Sequence, residues 1–351
     1  MQLNQRIEAF TKLGALLYQY VNIKKEKKTF QDEALLSLDD ICLKANQQNS
    51  WFTEDNILHS LEGWAEQLTS EQLHKWLEPY NLKKSCCKTV AIIMAGNIPL
   101  VGFHDFLSVL VSGHKVLIKL SSNDDVLLKG IVKLLIQIEP EYSPLISFTD
   151  KQLSDFDAVI ATGSNNTSRY FEYYFGKNPN IIRKNRNSIA ILSGEESEED
   201  LSLLCNDVMR YYGLGCRNVS KLFVPENYNF DKFFNALYNW KDIINENRYA
   251  NNYDYNKAVY LMSEFQLLDN GFVILKEDPN YASPISVIFY EYYNSLDDLK
   301  NRIASEKDLI QCIVSKGIFE DEVSFGTTQK PQLWNYADNV DTIEFLLSIC
   351  E

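Results

Sequence analysis

Thr89-Val90-Ala91-Ile92-Ile93-Met94-Ala95-Gly96-Asn97-Ile98-Pro99 runs from an unbroken apolar segment of strand length into a glycine-containing turn, and a helical stretch through Phe106, Leu110 and Val111 follows. A strand that is apolar on both alternating faces must be covered on two sides, which is the condition of a parallel sheet between helices. The unit repeats at once. Gly113-His114 turns into Lys115-Val116-Leu117-Ile118-Lys119, a loop spans Leu120 to Asp124, and a helix runs from Val126 to Ile138. A third unit places Asp157-Ala158-Val159-Ile160-Ala161 before the loop Thr162-Gly163-Ser164-Asn165-Asn166 and a helix over Ser168 to Phe175. Strands alternating with helices predict an α/β fold of doubly wound type.

On the N-terminal side the period is helical. Ile7, Phe10, Leu13 and Leu17 recur at three- and four-residue intervals, and Ile57, Leu61, Trp64, Leu68, Leu73 and Trp76 keep a similar rhythm, with Thr53 and Thr69 as helix-start residues. On the C-terminal side, Ile189-Ala190-Ile191-Leu192 reads as a strand and the acidic run Gly194 to Asp200 opens a helix to about Tyr212, with a strand over Val219 to Val224. Helix and strand continue to alternate through Phe230–Trp240, Ala258–Met262, Phe272–Leu275, Ile285–Phe289 and Leu296–Ile303, and the tail ends in a short apolar helix or strand. At 351 residues the chain exceeds the roughly 250–300 at which a single core stops growing, so two apposed α/β lobes are expected.

Composition narrows the function. The formal charge of −14 argues against a nucleic-acid partner, which needs clustered Lys and Arg. The N-terminus lacks the pattern of a secretory leader and no run reaches the ~18 apolar residues of a membrane span, so a cytoplasmic protein is expected. Seven scattered cysteines (Cys42, Cys86, Cys87, Cys205, Cys216, Cys312, Cys350) and four histidines predict neither a disulfide framework nor a metal site. Cys86 and Cys87, opening an apolar strand, read as packing residues.

Ligands of doubly wound sheets bind beyond the carboxyl ends of the strands. Three successive loops lie there, carrying Asn97, then Lys119 with Ser121 and Ser122, then Thr162, Gly163 and Ser164. Glycine and a hydroxyl at a helix start suit an anion, because the free N–H groups and the dipole favour negative charge, but the same pair is also a plain N-cap. Lys119 reads equally as a solvated strand-end charge. The stretch Tyr211-Tyr212-Gly213-Leu214-Gly215-Cys216-Arg217-Asn218-Val219 presents one thiol on a glycine turn beside a cation, which is either a nucleophile or a small apolar residue ahead of a strand.

The order of these motifs resembles the aldehyde dehydrogenase superfamily over about residues 86 to 290, and most closely the acyl-CoA reductase family, which includes the fatty acid reductase that makes aldehyde for bacterial luciferase. The nearer likeness rests on Gly96-Asn97-Ile98-Pro99, the run from Ser112 to Ser122, Arg186-Asn187-Ser188-Ile189-Ala190, Gln329-Lys330-Pro331, and Tyr336 to Thr342. It implies an aldehyde dehydrogenase-like fold with a helical segment at 1–85, a nicotinamide dinucleotide lobe at 86–192, a catalytic lobe at 193–324, and a tail at 325–351 that returns to the cofactor lobe or joins an oligomer interface.

The resemblance also assigns roles. Cys216 is implied as the nucleophile toward a fatty acyl thioester, and the Asn97 amide with the Cys216 N–H as the oxyanion hole. Lys119 is implied at the adenosine ribose, with Ser121 and Ser122 beside it, and Thr162, Gly163 and Ser164 at the pyrophosphate. The family's hydrolytic cousins carry a water-activating Glu where this chain has Arg183, and a ribose-binding Glu where it has Asn280 if Ser283-Pro284 replaces their Gly-Pro pair. Without a base the acyl-enzyme outlasts water and waits for hydride. NADPH is expected over NADH, since Ser122 is no acid and Lys119 can meet a 2′-phosphate. Implied partners are a fatty acyl-CoA or acyl-protein donor, an ATP-dependent acyl-protein synthetase, and further copies of the chain in a homo-oligomer. Acyl transfer or hydrolysis without redox, and a non-catalytic assembly subunit, are the rival readings.

Overall fold

The computed structural model describes residues 1–82 and 86–350. Four helices come first: α1 (Leu3–Lys25), α2 (Glu33–Gln48), α3 (Glu54–Gln67) and α4 (Ser70–Leu77). Asp32 accepts the N–H groups of Ala34 and Leu35, Thr53 that of Asn56, and Thr69 that of Gln72, so α2, α3 and α4 each begin on a side-chain cap. Then follow β1 (Thr89–Ile93), α5 (Phe103–Val111), β2 (Lys115–Lys119), α6 (Leu127–Ile138), β3 (Ile146–Phe148), β4 (Ala158–Thr162), α7 (Asn165–Phe175) and β5 (Asn180–Arg183). These strands form one parallel sheet in the order β3-β2-β1-β4-β5.

The sequence's two-sided apolar strands have their reason here. Val90, Ile92, Val116, Ile118, Ala158 and Ile160 join the core beneath the N-terminal helices, α5 and α6, while Ala91, Val159 and Ala161 pack the opposite face with Phe171 and Phe175 of α7. Each fully buried Val or Ile contributes about 1.5–3 kcal/mol.

Beyond Arg183 come β6 (Asn187–Ile191), α8 (Glu198–Met209), β7 (Val219–Pro225), α9 (Phe230–Leu237), α10 (Asn247–Met262), β8 (Leu267–Asp269), β9 (Ile274–Glu277), β10 (Val287–Tyr293), α11 (Leu296–Ser305) and β11 (Ile310–Val314). They build a six-stranded sheet, β11-β6-β7-β10-β9-β8, parallel except for the β8–β9 pair. The chain closes with α12 (Thr342–Ser348). Two compact units result, Met1–Lys184 with Gln332–Glu351, and Asn185–Pro331. Among the described residues no helix is long and apolar enough to cross a membrane.

Several expectations change. The strand at 187–191, grouped with the first lobe by sequence, lies in the second sheet because it pairs with β7 and β11. Strands β3, β5 and β11 carry too few or too mixed apolar residues to have been distinguished from loops. Ala258–Met262 is the end of the longer helix α10, and the tail is helical. Cys86 is bonded to Cys350 in a disulfide, with Cα atoms 5.6 Å apart, and Cys87 is exposed at φ 48, so neither is a packing residue. The pairing arises because α12 ends beside the start of β1, across 264 residues of sequence. A His114 nitrogen lies within 4.8 Å of both sulfurs, a constellation with the makings of a metal site that the sequence had not suggested. Its groups are engaged otherwise: the sulfurs bond each other, His114 Nδ1 accepts the Lys88 N–H at 3.1 Å, and Nε2 meets the Leu346 carbonyl at 2.9 Å.

Candidate active site

In the first unit the expected cofactor residues gather at one sheet end, because β1 lies between β2 and β4, with Ile93 opposite Lys119 on one side and Ala161 on the other. The first two loops touch. A Cβ at Gly96 would fall 2.8 Å from Ser121 Cβ and 2.9 Å from its Oγ, so only glycine admits this approach. Asn97, half-buried, follows on that same loop. Lys119 Nζ donates to the Lys151 carbonyl at 3.0 Å, which engages one of its three N–H bonds. Ser121 Oγ accepts the Asn123 N–H at 3.2 Å, and Ser122 is exposed, its carbonyl accepting from Gln48.

On the third loop, Thr162 ends β4, and Gly163 permits α7 to pack closely, since a Cβ there would meet Phe171 at 2.9 Å and Thr167 at 3.0 Å. Ser164 Oγ accepts the Thr167 N–H at 3.3 Å, so its hydroxyl serves as the N-cap. Capping leaves the positive end of the α7 dipole at the strand end, where an anion is favoured. Lys119 at the end of β2 and the start of α7 beyond β4 thus lie at the same end of the sheet, separated by β1. Asp124, buried in the same loop cluster, is pushed up to about 7 by desolvation, against the pull of the Leu127 and Leu100 N–H groups.

Arg183 is buried at the end of β5. It forms an ion pair with Asp105 of α5 and donates through Nη2 to Thr342 Oγ1 at 3.3 Å. His104 is also structural, with Nε2 at 2.8 Å from the Leu333 carbonyl and its ring against Trp76 and Tyr336.

In the second unit, α8 stops at Met209 rather than near Tyr212, because Tyr211, Tyr212 and Gly213 take left-handed backbone at φ 53, 59 and 75. Such conformations cost a non-glycine residue on the order of 1–3 kcal/mol and persist only where surroundings impose them. Both tyrosines are buried. The bend delivers Cys216 to an exposed position just ahead of β7, unlike the buried Cys42, Cys205 and Cys312. The Cys216 carbonyl accepts from Ser188 Oγ at 2.9 Å, tying the turn to β6. Arg217 places Nη1 3.4 Å from Cys312 Sγ. Asn280 donates to Asp278, and Ser283 Oγ donates to the Val287 carbonyl.

Sequence reasoning did not single out Ser188 or Asn218, whose side chains bond to the Cys216 carbonyl and the Gly215 N–H, Asn218 also to the Asp207 carbonyl of α8. The turn propensity of Asn two residues after the cysteine was the available signal, but its bonds to α8 were not readable without the fold.

Residues 18–266 match the family described as acyl-CoA reductase (LuxC). No curated protein matches the chain in sequence. Among solved structures, aldehyde dehydrogenase 21 from Physcomitrella patens, in complex with the product succinate, is similar with a TM-score of 0.68 at 12% identity, over 99% of this chain and 84% of that one. An NAD+ complex of an aldehyde dehydrogenase from Bacillus cereus aligns with a TM-score of 0.59 at 14% identity, over 90% and 72%. An NADP dependent enzyme from E. coli aligns with a TM-score of 0.59 at 11% identity, over 88% and 76%. At such identities the structural likeness carries the fold alone.

Proposed function

Since the chain belongs to the acyl-CoA reductase (LuxC) family, and is an NAD(P)-dependent oxidoreductase with the aldehyde dehydrogenase fold, we propose that it reduces a fatty acyl thioester to the aldehyde with NADPH, through an acyl-enzyme on Cys216. The observation that carries this reading is the exposure of Cys216 on a turn anchored to two neighbouring elements. In the reaction the Cys216 thiolate adds to the thioester carbonyl carbon, and coenzyme A leaves as its thiol after taking a proton from solvent. Charge that develops on the carbonyl oxygen falls to the Asn97 amide and the Cys216 N–H, a type of donor worth about 2.7–4 kcal/mol.

A bound reduced nicotinamide supplies hydride, and that chemistry belongs to the cofactor. Lys119 and the start of α7 hold its phosphates and ribose, with Ser121, Ser122, Thr162, Gly163 and Ser164 around them. Lys119 beside the uncharged Ser122 favours the 2′-phosphate of NADPH over NADH. In the interval the thioester persists because no side chain serves as a base to activate water toward it. Arg183 is committed to a buried pair with Asp105 and offers no base. The donor is a coenzyme A thioester or an acyl group handed over by an ATP-dependent synthetase, and the enzyme works in the cytoplasm as a homo-oligomer.

Mass spectrometry of the protein incubated with acyl-CoAs of graded chain length, without cofactor, tests the reading. A mass gain confined to the Cys216 peptide, followed by loss of that mass and NADPH oxidation once cofactor is added, is the expected result. Acyl transfer or hydrolysis with no NADPH consumed removes the redox step, and unchanged activity in Cys216→Ala removes the nucleophile.

A further inference from the structure

Asn218 stands two residues after Cys216 and is buried. Its Oδ1 accepts the Gly215 N–H at 2.9 Å, and its own backbone N–H donates to the Gly215 carbonyl at 3.0 Å. One residue therefore closes both edges of the turn that carries the thiol. The amide nitrogen points the other way, toward the carbonyls of Asp207 at 3.0 Å, Val208 at 3.3 Å and Arg210 at 2.7 Å. Asp207 and Val208 lie in the last turn of α8, where carbonyls lack helical partners, and Arg210 directly precedes the left-handed tyrosines.

Only a primary amide answers both sides at this length. A carboxylate would keep the acceptor for Gly215 but set its second oxygen against three carbonyl oxygens, and an alkyl group would leave all four partners unmet. With Ser188 Oγ holding the Cys216 carbonyl, the peptide planes on either side of the sulfur are tied to α8 and to β6. The catalytic need for such fixation is large, because a displacement of about 1 Å at a reacting group can cost on the order of 100-fold in rate.

We infer that Asn218 is the positioning residue for the Cys216 nucleophile, an assignment that rests on the thioester reading above. It touches neither substrate nor cofactor. It acts by giving the sulfur and the adjoining N–H one fixed presentation, and it holds in place the strained bend that delivers them.

The test compares the full-length wild-type protein with Asn218→Ala, Asn218→Asp and Asn218→Ser, following thermal melting, the rate of Cys216 acylation by an acyl-CoA across pH, and kcat and KM for NADPH-dependent reduction. Asn218→Ser keeps a donor and an acceptor on a shorter arm, and provides a folded variant should the others melt. In the variants that remain folded, kcat is expected to fall about 10- to 100-fold while KM for acyl-CoA moves less than about threefold, with a shifted pH profile of acylation. Folded variants that acylate at the wild-type rate, with the wild-type pH profile, overturn the assignment while leaving the nucleophile intact. Wild-type protein that gains no acyl mass at Cys216 overturns the nucleophile, and Asn218 with it.

Discussion

Arg183 at the end of β5 and Asp105 on α5 form a buried ion pair, with Thr342 at the first turn of α12 taking a second guanidinium hydrogen. The pair and the bond to Thr342 fasten the C-terminal helix to the first sheet.

Removing one partner strands the other charge in the core. Asp105→Ala is expected to lower unfolding free energy by about 3–5 kcal/mol, whereas Asp105→Leu with Arg183→Met should lose much less, because the pair's desolvation cost disappears with both charges. Urea denaturation checks it; equal losses in the single and double variants would falsify the pairing account.

Burial also makes stability depend on pH through Asp124. Its folded value near 7 lies above the unfolded value near 3.9, so the native state holds a proton that the unfolded chain has released. This group's contribution therefore falls as pH rises from about 4 to about 7, by at most about 4 kcal/mol, and is flat above. The amide of an Asp124→Asn variant would mimic the neutral acid and keep an acceptor for the Leu127 and Leu100 N–H groups. Melting curves at both ends of the window should show the variant gaining on wild type as pH increases; a constant difference contradicts the assignment.

Thiol labelling should follow exposure. Iodoacetamide applied to the native protein is expected to modify Cys216 and Cys87 before Cys42, Cys205 and Cys312, the last three becoming reactive on unfolding. Peptide mapping by mass spectrometry reads the order, and early labelling of Cys205 would contradict the packing of α8.

Reduction should release the link between α12 and the start of β1. A bond closing 264 residues of chain contributes up to about 5 kcal/mol in the chain-entropy account, so dithiothreitol is expected to lower Tm in wild type and to have no such effect in Cys350→Ser. A cytoplasmic setting would hold the pair reduced, and the reduced Tm is then the relevant one.

Legibility followed burial pattern. Strands β1, β4 and β7 were visible because burial demands continuous apolar runs, and β2 by the shorter run Val116-Leu117-Ile118. Asn180-Ile181-Ile182-Arg183 was not, because an edge strand of four residues with polar ends carries no period to detect. The same pattern put Asn97, Ser121, Ser122, Gly163 and Ser164 on the loops where they lie, while Lys119 and Thr162 are the last residues of β2 and β4. Ser164 proved to be a cap, an outcome the sequence had left open beside the anion reading.

What the sequence determined by itself is the alternation of strand and helix, the loops that end the strands, and the cysteine set on a glycine turn, since each is a local consequence of side-chain period and backbone freedom. The tertiary structure alone decided that Arg183 meets Asp105, that Cys86 meets Cys350, and that Asn218 binds the end of α8 to the Cys216 turn. Those partners lie 78, 264 and up to 11 residues apart, and only the closed sheet and helix packing brings them within bonding distance.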